Sequence, residues 1–205
     1  MKSQTKKLFE VNSDISTIIQ IIHEIGWKEI RESSIHRILY LSSVLYAFMD
    51  DHDENAFSNY HFSITPTGPY SDTIARSLVD LKSREIILDN EKGILKVDKE
   101  SLDRIDYSLK EQRIEWFRTV IYILGLYGES KIFGFIIQDP QYKDDFRRNS
   151  QKEIDISDEN KSIQTLNSFK NAFEETLDDV SEIDKKEYLD LYFEYVFSKI
   201  IKRSK

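Results

Sequence analysis

Asp50, Asp51, His52, Asp53 and Glu54 run together, with His61 close behind, and form the densest set of hard ligands in the chain. Carboxylates and imidazole so close in sequence can hold a divalent cation. A calcium loop, however, alternates its ligands around a central glycine, and this run has neither feature. Six consecutive polar residues after a buried helix read instead as a solvated loop. Nucleophilic catalysis has still less to work with. The chain has no cysteine, no Gly-x-Ser-x-Gly elbow and no His-Glu-x-x-His pair. His23 and His36 fall within helical patterns and read as surface or packing residues. The 37 acidic side chains always supply some carboxylate pair, but no spacing singles one out for acid–base work. The expectation is a protein without catalytic residues, metal or cofactor.

Composition narrows the class further. A chain of 205 residues, 40% hydrophobic and free of cysteine, can bury a sizeable core in a reducing cytosol. No apolar run approaches the roughly 20 residues of a membrane span, and the basic N-terminus is not followed by the apolar segment of a signal peptide. The net charge of −8 argues against a general nucleic-acid coat protein. Residues 151–205 hold 13 acidic groups against 9 basic ones, half of that excess. This is either a solvated acidic face or an acidic docking surface.

The elements that must position any site follow from periodicity. Ser13 or Asp14 is placed to cap a helix through Ile15, Ile18, Ile19 and Ile22, ended by Gly26. A second helix, about Ile35 to Met49, is apolar around most of its circumference and so buried on several sides. Tyr60 to Thr65 alternates as a half-buried strand, Pro66 to Pro69 reads as a stiff turn, and Ser71 caps a helix over about Asp72–Lys82. Ile86–Leu88 and Ile94–Val97 flank a glycine-containing turn and make a hairpin. Helix, helix, strand, helix, hairpin is the plan of a winged helix. The fold class is therefore mainly α with a small β-hairpin: a winged-helix-like domain at about 10–100 and a C-terminal helical bundle at 101–205. Five more helices are expected, near 109–126, 131–137, 142–148, 162–180 and 188–201. A polar acidic linker is expected near 149–161.

Two places look suited to partners. The last helix carries Tyr188, Leu191 and Tyr195 at three- and four-residue steps, a stripe left over once its other face closes the core. Gly68-Pro69-Tyr70-Ser71 is a sharp corner that fixes the helix behind it. If that helix read DNA, Arg76, Lys82 and Arg84 would be its phosphate contacts. Asp72, Asp80 and Glu85 on the same helix and just beyond it oppose that use.

Arg37-Ile38-Leu39-Tyr40-Leu41, Tyr60-x-Phe62-x-Ile64, Gly68-Pro69-Tyr70-Ser71, Leu78-x-x-Leu81 and Ile86-Ile87 form an ordered series. It resembles small bacterial winged-helix-like proteins of two groups. One is the middle component of three-component ABC-ATPase systems, including Lamassu-type anti-phage complexes; the other is the Panacea antitoxin-like proteins. Gly128-Glu129-Ser130-Lys131-Ile132-Phe133 and Asp139-Pro140-Gln141-Tyr142 are similar to the former, and the match covers about residues 35–145. The resemblance implies a cytoplasmic, non-catalytic adaptor binding an SMC-like ATPase and an effector nuclease. The alternative is a DNA-binding regulator or antitoxin.

Overall fold

The computed structural model describes residues 2–49, 56–90, 93–96, 111–150, 152–157, 159–176 and 183–203. Helix α1 (Lys2–Glu24) is followed by strand β1 (Glu29–Arg31), helix α2 (Glu32–Met49), strands β2 (Ser63–Thr65) and β3 (Gly68–Tyr70), and helix α3 (Asp72–Ser83). Strands β4 (Leu88–Asp89) and β5 (Ile94–Lys96) come next. Helices α4 (Glu111–Tyr127), α5 (Glu129–Ile136), α6 (Pro140–Arg147), α7 (Lys161–Thr176) and α8 (Lys185–Arg203) complete the order.

The mainly helical class with a small antiparallel sheet stands as the sequence predicts. β1, β5 and β4 pair antiparallel in that spatial order, with Ile30 opposite Leu95 and Leu88 opposite Lys96. Apart from the separate β2–β3 hairpin between α2 and α3, the order helix–strand–helix–helix–hairpin with β1 beside β5 is the winged-helix arrangement, and the strand expected at 60–65 is not part of its sheet. The hydrophobic pattern missed β1 because only Ile30 of its three residues points inward. The expected turn at 66–69 is shorter than its Pro-Gly content suggests. Gly68, Pro69 and Tyr70 form a strand that folds back on Ser63–Thr65, with Ile64 opposite Pro69. The chain is held on either side of this hairpin. The Ile154 N–H donates to Phe62 O beside β2 (2.8 Å), and the Ser71 N–H donates to His36 Nδ1 beyond β3 (3.1 Å).

α2 is the central rod. Ile35, Ile38, Leu39, Tyr40, Leu41, Val44 and Leu45 are all buried, because α4, α5, α7 and α8 pack around it. One apolar cluster reaches from Val11 to Phe197, crossing the boundary expected near residue 100; residues 97–110 lie outside those described. The stretch expected as a linker is likewise held to this core. Ile154 and Asn160 are buried, and the Asn160 amide donates to Asp155 O. The 102° bend between α4 and α5 falls at Gly128, whose φ of +82° suits glycine. No single helix among the described residues is long and apolar enough to cross a membrane.

Candidate partner-binding site

Four ties between the two halves of the chain fix the geometry of the surface. Asp14 does not cap α1, which begins near residue 2. It sits fully buried in mid-helix and receives Arg113 Nε and Nη2 at 2.7 and 2.5 Å and the Tyr60 hydroxyl at 2.6 Å. Arg113 lies over the Phe57 ring at 4.0 Å and donates to Ala56 O. Burial pushes the Asp14 carboxyl up from its ordinary value, and Arg113 opposes that push. Cap logic is local, so it assigned Asp14 to the nearest helix start; its real partner is 99 positions away.

Asp139 is the second buried carboxylate. It caps α6 by accepting the Tyr142 N–H (2.8 Å), with Pro140 at the first helical position. The Tyr40 hydroxyl (2.8 Å) and the Ser162 hydroxyl (2.5 Å) also donate to it. Burial raises its carboxyl as well, against these donors. Glu129 makes the third tie. Its Oε1 accepts the Arg31 N–H (2.7 Å) and the Ser34 hydroxyl (2.8 Å), and its Oε2 accepts Arg31 Nη1 (3.0 Å). A carboxylate at the start of α2 also meets the positive end of the helix dipole. Asp14 and Asp139 are closed off from solvent and occupied by donors, so they hold the fold and offer no open acid or base.

The fourth tie is the corner Thr65–Ser71. Arg37 Nη2 donates to Thr67 O (2.7 Å), and the Tyr142 hydroxyl donates to Thr65 O (2.5 Å). His36 stacks on Tyr70 with ring centroids 4.9 Å apart. Burial, followed by the neighbouring Arg37 charge, lowers the His36 pKa to about 4, so at neutral pH its Nδ1 is an uncharged acceptor. Ser71 does not cap α3 through its side chain: its Oγ is buried and unpartnered. Gly68 has φ +124°, and a Cβ there would stand 3.2 Å from Arg37 Nε. Arg37, Tyr40, Glu129, Asp139 and Tyr142, scattered through the motifs of the sequence, thus meet around one joint.

The expected docking stripe on α8 is corrected by its neighbour. Tyr188 is only 1% exposed, with its ring against Phe173 of α7 (6.4 Å, edge-on), and Leu191 is half-buried. Tyr195 is 46% exposed, with Phe169 at 5.7 Å. α7 covers the face that circumference counting left for a partner. At the corner, Gly68 and Pro69 are buried and Tyr70 is 39% exposed.

Of the expected phosphate contacts, Lys82 pairs with Glu32 and with Asp89 (2.5 Å), and Arg84 pairs with Asp80 (3.0 Å). Arg76 is exposed. The Asp50–Asn55 run lies outside the described residues. Among the described residues no group of three or more His, Cys, Asp or Glu is arranged to hold a metal ion, and His61 pairs with Glu153 (2.8 Å). His36, expected as a surface or packing residue, is indeed packed, but its partner Ser71 lies 35 positions away, and Arg113, whose partner is 99 positions away, carries no local signal at all. No protein-family model, curated protein or solved structure matches the chain.

Proposed function

We propose that this chain is a non-catalytic adaptor subunit of a bacterial anti-phage defence complex, binding an SMC-like ABC-type ATPase and an effector nuclease in the cytoplasm. The observation that carries the reading is the state of the helix that a DNA-reading winged helix would insert. Two of its three candidate cations are spent on the protein's own carboxylates, Lys82 on Glu32 and Asp89 and Arg84 on Asp80. Phosphate contact would have to displace those acids and then face them. The two buried carboxylates support the same reading, since both serve as joints of the fold.

Expression of the native operon with a tag on this chain is the direct test. Co-purification of an ATPase with a coiled-coil arm and of a nuclease supports the adaptor; recovery of this chain alone overturns it. The winged-helix topology also favours a DNA-binding regulator, which predicts duplex affinity that falls steeply with salt and weakens on Arg76→Ala. Absence of binding to its own promoter fragment at low salt removes that alternative.

A further inference from the structure

His36 fastens the corner between β3 and α3 to the central helix α2. It is 5% exposed, lies nearly flat on the Tyr70 ring, with planes 16° apart, and accepts the Ser71 N–H at Nδ1 (3.1 Å). Ser71 is the N-cap of α3, and an N-cap serine ordinarily fixes its helix with a hydroxyl that accepts an N–H of the first turn. That bond is missing here, since the Ser71 Oγ is buried without a partner. Among the described residues the imidazole therefore supplies the one hydrogen bond that ties residues 70–73 to α2.

The chemistry of this bond makes it breakable by a proton. A neutral imidazole that accepts at Nδ1 carries its hydrogen on Nε2, so a second proton can go only to Nδ1. Charging the ring turns the acceptor into a donor facing the Ser71 N–H, and the bond is lost. The surroundings oppose that charge. Burial disfavours it, and so does the Arg37 guanidinium next on α2. From β3 the ring meets Tyr70, whose face offsets part of the cost. Glu129 of α5 and Tyr142 of α6 act on Arg37 rather than on His36. The closed corner thus binds this proton poorly, and an open corner, with the ring in water, binds it well.

We propose that His36 is an acid-released latch: a proton on Nδ1 detaches the Ser71 N–H and lets the Tyr70–Thr73 corner swing away from α2 while the rest of the fold stays closed. The opening is local because both flanks keep their own ties. Upstream, β3 stays paired with β2, and Arg37 and Tyr142 hold Thr67 O and Thr65 O. Downstream, Ile74 and Leu78 are buried, Asn12 holds Asp80 and Glu32 holds Lys82. What comes free is the aromatic face of Tyr70. The latch is independent of the adaptor reading.

The test is hydrogen exchange of the Ser71 amide in the full chain, followed by NMR at pH 7 and pH 5 and divided by the intrinsic rate at each pH. His36 titrates at about 4 in the closed corner against 6.5 when free. Proton linkage then multiplies the opening constant by about 20-fold between those two pH values. Urea well below the unfolding transition separates the two routes of exchange. A local opening exposes little surface and keeps its rate, whereas global unfolding speeds up. A rise near 20-fold that urea leaves unchanged supports the latch. His36→Asn, whose amide oxygen accepts the Ser71 N–H without titrating, should abolish the rise. A Ser71 amide unprotected at pH 7, a corrected rise below about threefold, or exchange only through urea-sensitive unfolding overturns the latch. The wild-type measurement decides even if the variant folds poorly.

Discussion

Removing one member of the Asp14–Arg113 pair should cost far more than removing both. Asp14 has no exposed surface and Arg113 about 16% of its side chain, so the two single variants are unequal. In Asp14→Leu, Arg113 keeps Ala56 O and the Phe57 ring and can lean toward water; a loss near 3 kcal/mol is expected. In Arg113→Met, the carboxylate is left with the Tyr60 hydroxyl alone, and a loss of about 4–5 kcal/mol follows from stranding a buried charge. Against a total stability of roughly 5–15 kcal/mol either is severe. The double variant Asp14→Leu/Arg113→Met removes both desolvation penalties, and about 0–2 kcal/mol is expected, a coupling of several kcal/mol. Arg113→Met should also become pH-dependent in a definite direction. Its Asp14 carboxyl, raised by burial with no cation to oppose it, favours the neutral form, so the deficit shrinks as pH falls toward 4 and grows toward 7. Urea unfolding followed by the fluorescence of buried Trp116 measures all of this at two pH values. Single variants within ~1 kcal/mol of wild type, or a double variant equal to the sum of the singles, would refute the reasoning.

The His36 joint should make the chain acid-sensitive. A folded pKa of about 4 against 6.5 for the free side chain leaves stability whole above pH 6.5 and lost as pH falls from 6.5 to 4, by at most roughly 3 kcal/mol. His36→Asn, which keeps an acceptor for the Ser71 N–H, should flatten that part of the pH–stability curve. Gly68→Ala forces a side chain into φ +124° and against Arg37 Nε, so a loss of about 1–3 kcal/mol should appear as a melting point several degrees lower. Tyr188→Ser should destabilise by about 3 kcal/mol or more, whereas Tyr195→Ser should cost under ~1 kcal/mol; equal effects in thermal melts would restore the exposed stripe.

What the sequence makes legible here is what repeats over short distances. The isoleucines of α1, the all-round apolar α2 and the Gly-bearing turn after β4 announce themselves by period and turn chemistry. The helices and the β4–β5 hairpin follow from them, but the strand that joins that hairpin does not: it is β1, not the strand expected at 60–65. β1 is too short to show a period, and β3 hides behind Gly-Pro because a proline at the edge of a two-stranded ladder needs no partner for its missing N–H. Tyr188 illustrates a different limit. Helical geometry says how much of α8 must be left over by the core, but not that α7 returns to cover it with Phe173. The joint around Arg37 was half visible. Its residues stood out as motifs, but their meeting depends on pairings some 30 to 99 positions apart, and no local pattern encodes those.

Those separations also set an order of events during synthesis. Asp14, Arg31 and Tyr40 each wait for a partner 98 or 99 residues further on. At about 5–20 residues per second, the first half of the chain emerges roughly 5–20 s before the acids and cations that neutralise it. During that interval a carboxylate and a phenol destined for the interior, Asp14 and Tyr40, stay in water, and the winged helix has no closed core to fold around. Chains stalled before Arg113 leaves the ribosome should therefore remain open to protease, and those stalled after α8 should not. The winged helix would then close only as α4 to α8 arrive to pack against it.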